Sequence, residues 1–139
     1  MNEDARIFAP AAARNVQFIV EALCEIAPDA KEALEIASGS GEHAIAIARA
    51  LPGVLWRPTD IDPAKLASID AWAAHAKAAN IAAATSFNAA TEVWGGPKVD
   101  LAFAANILHL IPAEAARAVI KTMASALAPN GIIEFAVPI

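Results

Sequence analysis

The chain of 139 residues has no tyrosine, one cysteine and few basic side chains, with Lys+Arg 10 against Asp+Glu 15. A lone cysteine, Cys24, excludes a disulfide framework and fits a reducing cytoplasm. The net charge of -5 and the pI near 5.1 supply no basic field for phosphates, which counts against a nucleic-acid groove or a membrane surface. A small molecule or another protein is the expected partner. No uncharged apolar run approaches the roughly 20 residues that span a bilayer. Met1-Asn2-Glu3-Asp4 also lacks the basic start and apolar stretch of a signal peptide. Metal-site patterns such as H-E-x-x-H and C-x-x-C are missing too, and no carboxylate cluster suggests a metal.

What is abundant is alanine. Of the 58% hydrophobic residues, 38 are alanines and only 42 carry a larger side chain, so the core must come from closely approaching helices and strands. The length supports a single domain, 1–139, whose residues 1–9 read as a loose start ending at Pro10. Ala11 to Ala27 places Val16, Ile19, Val20, Leu23 and Ile26 at helical spacing, and Cys24 beside that stripe reads as packing.

Four repetitions of a short apolar run followed by a helical one come next. Strands are expected at Ala33 to Ala37, Val54 to Pro58, Ile81 to Phe87, Val99 to Ala105 and Ile132 to Val137, the third weakened by its alanines. Helices are expected at Glu42 to Ala50, from Pro63 behind an Asp62 cap to about Ala79, and from Pro112 to Ala128, with a turn at Pro129-Asn130-Gly131. This alternation implies an α/β fold, a doubly wound open parallel sheet, Rossmann-like, with the expected order 3-2-1-4-5. Ligands bind such sheets outside the carboxyl ends of strands 1 and 4.

At the end of strand 1, Ser38-Gly39-Ser40-Gly41 opens a helix, a place where glycines allow tight turning and free N–H groups favour polar or anionic ligand atoms. An ordinary strand-to-helix turn accounts for two glycines equally well. Asp60 lies 19 residues beyond Gly41 at the end of strand 2, where an acid can accept ribose hydroxyls. Since Asp62 already serves as the helix cap, Asp60 has a separate duty. Together these residues indicate an adenosine-type cofactor without saying which, and Gly39-Ser40-Gly41-Glu42-His43-Ala44 also fits the relaxed nicotinamide fingerprint.

Four stretches carry a resemblance: Pro10-Ala11-Ala12-Ala13-Arg14-Asn15, Leu34-Glu35-Ile36-Ala37-Ser38-Gly39-Ser40-Gly41-Glu42-His43, Trp56-Arg57-Pro58-Thr59-Asp60 and Ala105-Asn106-Ile107-Leu108-His109-Leu110-Ile111-Pro112. In them the chain resembles class I S-adenosylmethionine-dependent methyltransferases, and more narrowly the methyltransferase-like protein 26 family. The resemblance implies S-adenosylmethionine as cofactor. Ala37 to Gly41 would pass under its methionine part, Glu35 would order that turn, Asp60 would hold the ribose and Arg14 would lie near the carboxylate. Asn88 would meet the adenine amino group, and Ile61 and Ala89 join the cofactor contacts. Asn106 and His109 would border the methyl group, His109 as a base or as a residue lining the turn. His43 would order the glycine turn, His75 reads as surface, and of Trp56, Trp72 and Trp94 only the last is expected to reach a pocket.

The chain departs from that family in ending strand 5 as Ala136-Val137-Pro138-Ile139, where the family shows Tyr-Gly-Pro-aromatic, and in stopping before the usual C-terminal helix and hairpin. The expected sheet therefore lacks the hairpin, and strand 5 becomes an edge that invites a homodimer. The resulting expectation is a cytoplasmic methyltransferase acting on a small molecule or a protein side chain. A nicotinamide-binding oxidoreductase is the alternative enzyme, disfavoured by Glu35 in strand 1 and by the absence of a tyrosine for a Tyr-Lys relay. An inactive module that works through protein contacts is the third reading.

Overall fold

Ala33, Leu34, Glu35 and Ile36 are all buried, which makes Glu32–Ile36 (β1) the central strand of the computed structural model; the structure describes residues 4–105 and 107–136. Such burial on both faces is the mark of a parallel strand covered by helices. β1 pairs in parallel with Leu55–Asp60 (β2) and with Val99–Ala105 (β4). The short Thr85–Ser86 (β3) lies outside β2, and Leu127–Ala136 (β5) lies outside β4, giving the order β3-β2-β1-β4-β5. The expected doubly wound parallel sheet is therefore the one observed.

Alternation along the strands sorts two cores. On one face Ala33, Trp56, Leu101 and Phe103 meet Ile19 and Leu23 of Pro10–Ile26 (α1) and Ala44 and Ile47 of Glu42–Ala50 (α2). On the other, Leu34, Ile36, Ala102 and Ala104 meet Val119, Met123 and Ala126 of Ala113–Ala126 (α4). Pro63–Ala76 (α3) follows β2, with Asp62 capping it by accepting from the Ala64 N–H at 2.9 Å. No helix of the described residues is long and apolar enough to cross a membrane.

Several details differ from expectation for local reasons. β3 shrinks to two residues; Ile81 makes an isolated bridge to Trp56, and Ala82 to Ala84 between them offer a ladder little β propensity. The third repeat has no helix, so residues 87–98 cover the sheet instead, with Trp94 against Phe87 and the Thr122 hydroxyl donating to the Ala89 carbonyl. α3 stops at Ala76 because Lys77 turns left-handed (φ 53). The Pro129-Asn130-Gly131 turn lies within β5, as the irregularity between the Val99↔Leu127 and Leu101↔Ile132 pairs, and Asn130 takes the positive φ of 69. Val137 lies outside the described residues.

The opening segment is also tied down where a loose start was expected. Residues 4–9 form no regular element, yet the Ile7 N–H donates to the Ser68 hydroxyl, the Trp72 indole donates to the Ile7 carbonyl, and the Phe8 ring packs edge-on against Trp72 at 5.0 Å.

Candidate functional site

The carboxyl end of β1 runs into a turn of unusual backbone. Ala37, Gly39 and Gly41 all have positive φ, at 55°, 66° and 99°. Gly41 is obligatory on steric grounds, since a Cβ there would sit 2.8 Å from the Ile69 Cα of α3. A Cβ on Gly39 would meet nothing within 4 Å, so the space above Gly39 is open. Thr59 fixes the turn to β2: its hydroxyl donates to the Glu35 carbonyl at 2.7 Å, its N–H donates to the Ser38 hydroxyl, and its carbonyl accepts from the Ser38 N–H.

Two lobes of a cleft meet at Ala37. The first, of about 230 Å³, is mostly apolar and is walled by Ile36, Ile61, Phe87, Ala89, Ile107, Ile111 and Val119, with Asp60 and Asn88 as its polar side chains. Ile61 is 65% exposed there, a large apolar side chain at the cleft wall. The second lobe, also about 230 Å³, is lined by Ala12, Ser38, Gly39, Ser40, His43 and Lys65, with Ala9, Ala37 and Ala105 completing it.

Asp60 joins both. It is 8% exposed, and its carboxylate accepts from the N–H groups of Gly39 at 2.9 Å, Ile61 at 2.8 Å and Asp62 at 3.0 Å. A carboxylate has about four acceptor sites, so three are committed to backbone and Asp60 holds the glycine turn as well as facing the cleft.

Glu35 is 1% exposed on the face opposite Leu34 and accepts from the Trp56 indole at 3.0 Å. Burial pushes its carboxyl up to about 7; the bonds from Trp56 and Ser38 oppose the rise, and the Asp60 charge adds to it. His43 is pushed below its ordinary value by burial, against the pull of the Ala12 carbonyl at 3.1 Å and of Glu42. With a carbonyl as partner, Nε2 carries the proton of the neutral ring.

Most of the residues expected at the site converge: Glu35, Ala37, Gly39, Gly41, Asp60, Ile61, Asn88 and Ala89 lie in or beneath the two lobes. Asn88 spends its amide oxygen on the Ala90 N–H at 3.0 Å, forming a local turn. Arg14 is exposed on α1 and does not line either lobe. His109 lies exposed in a single 3₁₀ turn, Leu108–Leu110, while its neighbours Ile107 and Ile111 face the cleft. Asn106 is outside the described residues. Trp94 does not line the cleft; it backs Phe87 at 5.4 Å and donates to the Pro97 carbonyl. Trp56 is fully buried, Trp72 holds the opening segment, and His75 is exposed.

Lys65 and Ser68 were not anticipated. Ser68 is buried, donates to the Ser40 carbonyl at 2.6 Å and accepts from Ile7, so it ties the opening segment to the glycine turn. The i, i+3, i+4 spacing of Lys65, Ser68 and Ile69 from the Asp62 cap is the signal that places all three on one helix face.

A family-wide sequence pattern, DUF938, described as a protein of unknown function, matches residues 6–138. The chain belongs to the DUF938 family. This DUF938 protein is similar in structure to an O-methyltransferase family protein from Burkholderia thailandensis, with 22% identity and a TM-score of 0.74 over 90% of this chain and 38% of that one. It is similar as well to a SAM-dependent methyltransferase from Thiobacillus denitrificans in complex with S-adenosyl-L-homocysteine, at 23% identity, TM-score 0.70, 92% of this chain and 48% of that one. The PH0226 protein from Pyrococcus horikoshii OT3 gives a TM-score of 0.80 at 12% identity, over 91% of this chain and 58% of its own. The DUF938 chain thus spans less than two thirds of each of these proteins. At such identities the likeness establishes the fold, which is the class I methyltransferase fold.

Proposed function

We propose that this DUF938 protein binds S-adenosylmethionine across Ala37 and transfers its methyl group to a small molecule or a protein side chain, as a relative of the methyltransferase-like protein 26 family. The observation that carries this reading is the two-lobed cleft at the carboxyl ends of β1, β2 and β4. One lobe is apolar with an acid at its side, as a nucleoside needs; the other is polar, as an amino-acid tail needs. The residues fit the group. Ile61 and Phe87 would hold the adenine by apolar contact, the remaining acceptor capacity of Asp60 would take a ribose hydroxyl, and the turn from Ala37 to Gly41 leaves open space above Gly39.

Bound S-adenosylmethionine supplies a methyl group on a sulfonium sulfur, which a nucleophile can displace directly. The protein's part is then mainly to position and to exclude water, which needs no general base. Ile107 and Ile111 wall the cleft beside His109, and a turn held in this way orients an acceptor at the cleft mouth. Asn106 and His109 are retained in this reading as the polar groups next to the methyl group, with His109 lining the turn.

Titration calorimetry with S-adenosylhomocysteine and NAD side by side tests the reading. Saturable heat with S-adenosylhomocysteine and none with NAD is expected. Equal heats, or saturation by NAD alone, would replace it with a nicotinamide-binding function.

A further inference from the structure

We propose that Lys65 receives the carboxylate of the cofactor's amino-acid tail and so makes the site selective for a ligand with an intact amino-acid end. The inference rests on the S-adenosylmethionine reading above and adds to it the group that recognises the tail. Of the described residues lining the polar lobe, Lys65 alone carries a full charge. His43 is held neutral near pH 7 by its burial. Glu42, at the start of α2, is engaged with the opening segment through the Ala9 N–H and with the Ser40 hydroxyl.

The placement of Lys65 follows from α3. Ser68 and Ile69 are buried against the glycine turn, Ser68 by its bond to the Ser40 carbonyl and Ile69 by its contact at Gly41. Lys65 precedes them by three and four residues, hence shares their face and is carried over the same turn. Its side chain is half-buried, and it forms no ion pair among the described residues, whereas Arg57 is paired with Glu32 and Arg6 with Asp4. An ammonium partly withdrawn from water at the wall of a polar lobe is a site for an anion.

Arg14, the cation that family resemblance assigns to this duty, is placed differently. Ala9 and Ala12 line the lobe, and Ile19 and Leu23 continue inward to the core. At about 100° per residue, Arg14 stands some 200° around the helix from Ala12, which agrees with its exposure to solvent.

The test compares S-adenosylhomocysteine with its decarboxylated analogue, which keeps the amine, by calorimetry on the full chain. The unaltered protein is expected to favour S-adenosylhomocysteine by tenfold or more. Lys65→Met, which keeps most of the stem, should lose that preference by weakening S-adenosylhomocysteine alone, and Lys65→Arg should restore much of it. The preference should survive in Arg14→Met. A preference that persists in Lys65→Met, or that vanishes in Arg14→Met, would overturn the assignment. Loss of both ligands in Lys65→Met and in Lys65→Gln would make Lys65 a structural residue and overturn it too. If the unaltered chain binds no S-adenosylhomocysteine, the cofactor reading itself fails, an outcome distinct from all of these.

Discussion

The two lobes of the cleft share a wall at Ala37 but are held by different forces. The apolar lobe is an opening in a packed core: Phe87 and Val119 belong to the same cluster as Leu34, Met123 and Ala126, with Ile107 and Ile111 packed against it. The polar lobe is held by hydrogen bonds between distant segments, Thr59 with Ser38, Ser68 with Ser40 and Ile7, and Asp60 with Gly39. Packing tolerates graded changes in volume, whereas a bond network fails at single polar atoms. The apolar lobe should therefore resist substitution better than the polar one.

The sharpest way to break this comparison is at the glycine turn. Gly41→Ala combines a positive φ with a Cβ 2.8 Å from backbone, so strain and overpacking together should cost about 3 kcal/mol or more. Gly39→Ala meets nothing within 4 Å and should cost only about 1 kcal/mol of left-handed strain while filling space above the turn. Urea unfolding of both variants checks this: similar losses would mean that α3 does not seat rigidly on Gly41.

Glu35 beneath the turn provides a second test of similar size. Its carboxyl, at about 7 in the fold against an ordinary value of 4.5, binds a proton more tightly folded than unfolded. Its contribution is complete below the ordinary value and is lost as pH rises through about 7. Glu35→Gln cannot ionise and can still accept from the Trp56 indole. The variant's advantage should be absent near pH 4.5 and grow to about 3 kcal/mol above pH 7.5, or roughly 10 °C in melting temperature. Thermal melts across that range would refute the assignment if the two curves ran parallel.

What could be read from sequence follows the same division. The presence and order of the five strands and the burial of Ile19 and Leu23 in α1 follow from apolar periodicity and glycine placement, which are local patterns, whereas Ile26 at the same helical spacing is 40% exposed. Gly39, Gly41, Asp60 and Asp62 were legible because turns and caps demand particular residue types at fixed offsets. Ser68, Lys65 and the docking of Ile7 and Phe8 depend on which helix face meets which turn, a long-range matter no window of sequence contains. Asp60 shows both limits. Its position was plain, but its bond to Gly39, 21 residues away, was not. Arg14 was placed by motif alone, and helix phase turns it to solvent.

The opening segment ranks next in expected effect. Phe8 is 65% exposed, yet it packs against Trp72 at 5.0 Å and carries the Arg6 guanidinium over its ring at 5.3 Å. An aromatic pair of this kind contributes about 0.5–1.5 kcal/mol. Phe8→Ala should lower stability by about 1 kcal/mol and speed proteolysis within residues 4–9, while Phe18→Ala, also exposed, should do neither. Equal protease sensitivity in both variants would show that the segment is held by its backbone bonds alone.

The smallest effect is expected at the wall between the lobes. Ala37 holds a φ of 55°, a left-handed conformation that costs a residue with a Cβ about 1 kcal/mol and costs glycine nothing. Against this relief stands the extra freedom that glycine gives the unfolded chain, about 0.4–1 kcal/mol. The two nearly cancel, so Ala37→Gly should change the urea midpoint little, by about 0.5 kcal/mol at most in either direction and at constant m. A loss above about 2 kcal/mol would exceed both backbone terms. The Ala37 methyl would then be packed as part of the apolar lobe, and the boundary between packed and hydrogen-bonded halves would move from Ala37 to Ser38.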